Sequence, residues 1–236
     1  MKGQEWYQRE DVVDSYEDKR FSRGGGRLTD RVEKESVFEA LAPVEDRTVL
    51  EIACGTGRFS VLLAEHGADV AGLDISGPML GQGREKARRA GLDDAVEFMR
   101  GDAGRLPFPD DHFDAVFAVR FFHLAPTPEA FLTEMARVSA DQVVFDTYNR
   151  LSARAVYNWA LPMGSRLYSR REVDEMLAAA DLRLTDETHE FPVPFGLYRK
   201  LPGGVARPLR RVETAVGDTA VGDALASISY WSATVE

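Results

Sequence analysis

Glu51, Asp74 and Asp102 each stand at or just beyond the C-terminal end of a short strand-like run, and Gly55 and Gly57 directly follow the first. Absent side chains let backbone approach a ligand closely, so a Gly-x-Gly between a strand and a helix reads as a binding turn. Taken alone it is shared by many nucleotide sites. Two residues narrow it: Ser60 stands where a dinucleotide fingerprint calls for a third glycine or alanine, and Glu51 places a carboxylate in the crevice. That charge repels a pyrophosphate and attracts an ammonium group. Asp74 follows Glu51 by 23 residues and offers two acceptor oxygens, the requirement for holding a ribose diol. Asp102, in Arg100-Gly101-Asp102-Ala103, suits the exocyclic amine of an adenine. Plainer roles stay open for each: a helix-capping acid, an N-cap and a turn acid.

Ammonium, ribose and adenine in that order are the parts of S-adenosylmethionine (SAM). At these residues the sequence resembles the class I SAM-dependent methyltransferases, in their small-molecule branch. The resemblance rests on four ordered blocks: LEIACGTGRFS, GLDIS with Met79 five residues after Asp74, RGDAGRLPFPDDHFDAVFAV, and FFHLAPTPEAFLTEMARV. It implies a Rossmann-like, doubly wound α/β fold, with a mostly parallel seven-stranded sheet, an antiparallel last strand and helices on both faces. It also implies SAM as cofactor, S-adenosylhomocysteine (SAH) as product, and no metal. Carried over by position, Glu51, Ala53, Gly55 and Gly57 would hold the methionine part, with backbone at Val119 facing it. Asp74 would take the ribose, Ile75 and Met79 would flank the adenine, and Asp102 and Ala103 would read its edge. An N-terminal helix folded over the cofactor would bring Tyr16 and Arg23 into closing contacts.

The elements that must position these residues alternate regularly from residue 48. Strands are expected at Thr48–Ala53, Asp69–Asp74, Val96–Gly101, Phe113–Val119 and Gln142–Thr147. Helices are expected at Arg58–His66, Pro78–Ala90 and Pro128–Val138, which makes βαβ units and a parallel sheet. Before this core, residues 1–22 with Trp6, Val12, Val13, Tyr16 and Phe21 read as an imperfect amphipathic helix. Gly24-Gly25-Gly26 reads as a turn or hinge, and Thr29 or Asp30 as the cap of a helix ending near Pro43. After the core, Leu151–Leu161 reads as an aromatic-rich helix, and Ser169–Glu172 as a capping box for one ending near Ala180. Leu182–Phe191 and Ile228–Val235 have strand character. The Arg199–Arg211 stretch reads as a solvated basic loop, and the tandem TAVGD at 214–223 as a local duplication. The whole chain, 1–236, is thus expected to be one domain: a helical cap at 1–44, a cofactor core at 45–148, and C-terminal strands with substrate-side insertions at 149–236.

Composition bounds the partners. The net charge of −10 argues against a nucleic-acid surface, which needs a basic field. The single cysteine, Cys54, excludes an internal disulfide framework and a Cys-based zinc site. No run approaches 18 apolar residues and the first twenty are charged throughout, so the expectation is a soluble, cytoplasmic protein without a membrane span.

Methyl transfer from a sulfonium is an in-line displacement that needs positioning more than a nucleophilic side chain. A general base, where one is used, would come from the loops after the fourth and fifth strands, where His123 and Tyr148 are the candidates, with Asn149 beside Tyr148. Arg120, Tyr157 and Trp159 are the first acceptor-site candidates, with Phe121, Phe122, Tyr168, Phe195 and Tyr198 as further aromatic walls. The acceptor expected is a small or medium-sized molecule. An RNA or protein methyltransferase, or a SAM-binding regulator without turnover, shares the same cofactor residues; the sequence leaves the oligomeric state open.

Overall fold

The computed structural model describes residues 9–13, 15–160, 165–217 and 219–236. Trp6, Leu161 and Asp218 lie outside the described residues. Seven strands form one sheet: β1 (Thr48–Ile52), β2 (Asp69–Asp74), β3 (Val96–Arg100), β4 (Phe113–Ala118), β5 (Ser139–Tyr148), β6 (Leu182–Glu190) and β7 (Ile228–Val235). Their order is β3-β2-β1-β4-β5-β7-β6, with β1 to β5 parallel and β7 antiparallel to both neighbours. Strand order therefore reverses between β1 and β4, and the crevice outside the strand C-termini at that point is where open α/β sheets bind ligands.

The central strands are apolar on both faces because helices cover both. Short helices α1 (Glu10–Val13) and α2 (Tyr16–Phe21) precede α3 (Gly24–Leu41); α4 (Arg58–Ala64) and α5 (Gly77–Ala90) follow β1 and β2. Leu41, Val49, Phe59, Leu63, Val70, Phe117 and Tyr230 share the core on one face. On the other, Leu50, Ile52, Leu73, Val116 and Phe145 pack with α6 (Pro128–Val138) and α8 (Arg170–Ala179). Helix starts follow their chemistry: the Ser76 hydroxyl accepts from the Met79 amide, and Ser169 with Glu172 closes a capping box.

Two segments depart from expectation. The three glycines are not a hinge: the bend is at Ser22-Arg23, and Gly24–Gly26 form the first turn of α3. A Cβ on Gly25 would lie 1.9 Å from the Tyr198 carbonyl oxygen, and one on Gly26 would lie 2.2 Å from that of Arg20. The Gly25 amide donates to the Leu201 carbonyl at 3.1 Å, so a distant backbone segment supplies a partner that an N-cap side chain would otherwise provide. Neither Thr29 nor Asp30 caps this helix.

The basic stretch is the second. Most of it lies in α10 (Gly203–Gly217), which follows α9 (Phe195–Tyr198). Arg210 pairs with Glu190, and buried Glu213 accepts from the Tyr198 hydroxyl and the Val193 amide. Long-range acid partners, absent from a local reading, fold this segment onto the body. The TAVGD repeat divides between two helices, since Thr219 caps α11 (Ala220–Leu225) by accepting from the Gly222 amide. The helix expected at Leu151–Leu161 is observed as α7 (Ala153–Ala160). Among the described residues, no helix is long and apolar enough to cross a membrane.

Candidate cofactor and acceptor site

The glycine turn leaves β1 through left-handed backbone. Ala53, Gly55 and Gly57 have φ of 56°, 56° and 67°, and the Gly57 amide donates to Cys54 O at 2.9 Å. The two glycines serve different ends. A Cβ on Gly57 would meet Phe98 Cζ at 2.4 Å, whereas one on Gly55 would meet nothing within 4 Å. Gly57 lets α4 settle onto β3, and Gly55 leaves the turn facing open space. Cys54, directly before Gly55, is buried and its thiol is pushed well up, chiefly by burial, so it is packing rather than a nucleophile.

Glu51 is 3% exposed, and its Oε2 accepts from the Ser60 hydroxyl. Burial raises its carboxyl to about 7, against the pull of Ser60 and the Arg58 guanidinium. A carboxylate has four lone-pair sites, and Ser60 engages only part of them, which fits an incoming ammonium. Asp74 Oδ2 accepts from the Gly55 amide and Oδ1 from the Ser76 amide, both at 2.8 Å. It braces the glycine turn without capping α5, a role that belongs to Ser76. Burial raises the Asp74 carboxyl too. Asp102 is exposed in the turn after β3, where Oδ1 accepts from the Gly104 amide at 2.9 Å. Ile75 and Ala103 are half-buried beside it, Met79 is 2% exposed, and Val119 closes β4 at 7%.

The N-terminal segment reaches this turn through a residue not anticipated. Glu17 Oε1 accepts from Thr56, between the two glycines, and from Lys86 on α5. Tyr16 stacks under Arg20 at 3.7 Å and is half-buried, while Arg23 is exposed with no side-chain cap bond. The link from cap to turn thus runs through Glu17 rather than Arg23. Glu17, Thr56 and Phe98 have no place in the sequence reading, and Ser60 enters it only as a departure from the dinucleotide fingerprint, not as the partner of Glu51.

A second cluster gathers at the C-terminal ends of β4 and β5. Arg120 has φ of 63°, its amide donates to Asp146 Oδ1 at 2.6 Å, and its Nη1 donates to the Tyr148 hydroxyl at 3.0 Å. It also pairs with fully buried Glu33 of α3, whose other oxygen receives Arg58 at 2.9 Å. Arg120 is therefore part of a buried network that ties the cap to the sheet, beside the place expected for an acceptor. The Arg154 guanidinium stacks on the Tyr148 ring at 3.5 Å, and His123 packs on the same ring at 4.7 Å. Burial, then the Arg120 and Arg154 charges, lower His123 to about 3. It is held as a neutral, weakly basic ring, which speaks against its use as a general base.

The remaining aromatic candidates separate. Tyr168 is buried and donates to the Phe122 carbonyl at 2.8 Å, so both are core. Trp159 is 89% exposed among the described residues. Asn149 spends its amide on Ala224 O and the Leu151 amide. The side chains of Tyr157 and Phe195 lie outside the described residues. Among the described residues, no group of three or more His, Cys, Asp or Glu is placed to hold a metal ion.

Comparison with known proteins places this geometry. A family model described as a methyltransferase domain matches residues 49–142. The demethylmenaquinone methyltransferase of Beutenbergia cavernae is 32% identical over 212 residues, 82% of this chain and 85% of that protein. The fatty-acid O-methyltransferase of Mycolicibacterium smegmatis is 45% identical over 101 residues, which is 42% of this chain and 35% of that one. The chain spans less than half the length of the first curated relatives it matches. Among solved structures, the 4+2 cyclase SpnF superposes with a TM-score of 0.68 at 21% identity, covering 89% of this chain and 82% of that one. The Synechocystis magnesium protoporphyrin IX methyltransferase with bound SAH gives 0.64 at 16%, covering 90% and 84%.

Proposed function

Because the chain belongs to the class I SAM-dependent methyltransferases, we propose that it transfers the methyl group of SAM to a small or medium-sized acceptor by in-line displacement. One observation carries the reading. Buried Glu51 and turn-bracing Asp74 flank the open space above Gly55, at the strand ends where the sheet order reverses. Those residues fit the cofactor's charges and hydroxyls: Glu51 pairs with its ammonium, and Asp74 keeps lone pairs for a ribose diol after both backbone bonds. Asp102 and Ala103 would read the adenine edge, and Ile75 and Met79 would flank its ring.

Bound SAM supplies an activated methyl on a sulfonium. The protein's work is then to hold the acceptor in line and keep water out. Glu17, fastened to Thr56 and Lys86, keeps the N-terminal helices over the glycine turn. The chain as a single methyltransferase domain, capped by 1–44, belongs to the same proposal.

The test is binding followed by turnover. The purified chain is expected to bind SAM and SAH, and not NAD(H), by isothermal titration calorimetry. It is then expected to release SAH when SAM is supplied with a pool of small metabolites. NAD(H) binding without SAM binding would overturn the reading, and SAM binding without SAH release from any pool would leave a SAM sensor instead.

A further inference from the structure

The two sides of α10 have opposite chemistries. Its inner side is committed to the body: Ala206 is fully buried, Arg210 pairs with Glu190, and buried Glu213 accepts from the Tyr198 hydroxyl and the Val193 amide. The helix also abuts the N-terminal cap, since a Cβ on Gly24 would lie 2.6 Å from Gly203 Cα. These contacts fix its rotation, so the side chains left outside cannot turn inward.

The outer side carries Val205, Pro208 and Val212, whose spacing sets them along one line of the helix. Val205 and Val212 are 52% and 64% exposed. Arg207 and Arg211, one turn apart, stand exposed beside that line, and exposed Leu197 and Lys200 lead into the helix. Lys200, Arg207 and Arg211 pair with no carboxylate among the described residues. A single exposed valine is ordinary, but an apolar line flanked by such cations on one helix face is the pattern of an interfacial helix.

The pairing of the two chemistries chooses the partner. A nucleic acid would take the arginines and leave the valines in water. Protein interfaces draw their strength from aromatic anchors seated in pockets, whereas this face offers a line of small aliphatic side chains. A second copy, met across a two-fold axis on this helix, would bring like charges together. An anionic bilayer supplies both complements at different depths: an apolar boundary for the valines, and phosphates above it for arginines whose stems lie along the apolar surface. The chain as a whole carries −10 and is repelled by that surface, which leaves this basic face to make the contact.

We propose that the outer face of α10 docks the protein on an anionic lipid bilayer, with Val205 and Val212 entering the interface and Lys200, Arg207 and Arg211 at the lipid phosphates. The proposal goes beyond the methyltransferase reading and stands without it. Docking on this face would bring the cap that α10 packs against to the membrane.

The test is co-sedimentation of the full chain with sucrose-loaded vesicles of phosphatidylcholine, alone or with about one third phosphatidylglycerol. Binding to the mixed vesicles is expected to be at least about tenfold tighter, and to weaken as salt rises from about 0.05 to about 0.5 M. Arg207→Gln with Arg211→Gln is expected to weaken it about twenty-fivefold, a factor of about five for each cation lost near the surface. Val205→Ser with Val212→Ser is expected to weaken it about tenfold while keeping its salt dependence. All four side chains are exposed, so both variants are expected to keep the parent's far-UV circular dichroism and melt. Arg88→Gln with Arg89→Gln, on exposed arginines of α5, removes the same charge and is expected to leave binding unchanged. Equal binding to both kinds of vesicle, binding to neither, or an equal loss in the α5 control overturns the proposal. So does light scattering that shows, without lipid, a dimer dissociated by Val205→Ser with Val212→Ser, because a second copy would then cover the face. None of these readouts needs SAM, so their failure is separate from failure of the methyltransferase reading.

Discussion

The Ser60 hydroxyl on α4 donates to the buried carboxylate of Glu51, nine residues earlier at the end of β1. This bond opposes burial, which dominates and leaves the group titrating at about 7. The folded value lies above the unfolded one, so the stabilisation is full below the unfolded value and is lost as pH rises through about 7. Its size is on the order of 3 kcal/mol. An ammonium bound at Glu51 selects the ionised form. SAH affinity is therefore expected to fall about tenfold per unit below pH 7 and to level off above it, with proton release on binding. Calorimetry from pH 5.5 to 8.5 in two buffers reads both; a flat profile removes Glu51 from the ammonium site. Ser60→Ala is expected to move the inflection upward.

Asp74 holds the glycine turn and the start of α5 through two amides, and in the proposed function it also takes the ribose. Asp74→Ala is expected to lose SAH affinity by about a hundredfold and to cost about 3 kcal/mol of stability, since bonds to a charged acceptor are the strong ones. In a chain of this size that is roughly 6–12 °C of melting temperature. A large loss of affinity with an unmoved melt would confine Asp74 to ligand binding, and the reverse would confine it to the turn.

Gly55 and Gly57 separate two meanings of one motif. Gly57→Ala drives a Cβ into Phe98 and strains a positive φ, so a loss of about 2–4 kcal/mol is expected. Phe98→Leu in the same chain is expected to return part of it, because the two changes share one contact. Gly55→Ala meets no protein atom within 4 Å and is expected to cost only about 1–2 kcal/mol of strain while sharply weakening SAH binding. Thermal melts with and without SAH give both quantities, and equal melts for the two variants would refute the distinction.

These contrasts mark what was readable beforehand. The alternation of strands and helices, the acids at strand ends and the Ser169–Glu172 capping box followed from local residue types and spacing. What depended on distant partners did not. Gly24–Gly26 read as a hinge because helix propensity penalises glycine, whereas the Tyr198 and Leu201 carbonyls need that space. Phe98 gives no sign that it fills the hollow above Gly57, Gly72 and Gly83. Glu33 looks like one more charge on an exposed helix, although Arg58 and Arg120 enclose it. The acids at the strand ends were legible because short apolar strands carry them there, and the packing of Arg120 and Arg154 on Tyr148 was not because these residues come together only through the fold.

His123 carries a testable consequence of its neutrality. Lowered to about 3, it contributes no inflection near neutral pH to a turnover profile. His123→Gln, which keeps a planar polar side chain against Tyr148, is expected to hold kcat within about threefold and leave the profile's shape unchanged. Loss of the profile's acidic limb in that variant would restore His123 as a base.

The strongest stability effect is expected at Glu33. Its carboxylate is fully buried, shared by Arg58 of α4 and Arg120 beyond β4, and so ties α3 to both sides of the crevice. Removing one partner of a buried pair leaves its cations desolvated, so Glu33→Ala is expected to cost about 3–5 kcal/mol. Glu35, two residues on, offers the control. Its pair with Arg31 is exposed at both ends, and water and salt screen it. Glu35→Ala is expected to leave the denaturation midpoint near that of the parent chain. Raising salt from 0.05 to about 0.5 M is expected to leave the difference between the two variants largely intact, because ions do not reach the buried pairs. Comparable midpoints for Glu33→Ala and Glu35→Ala would show that the buried network contributes nothing beyond a surface pair.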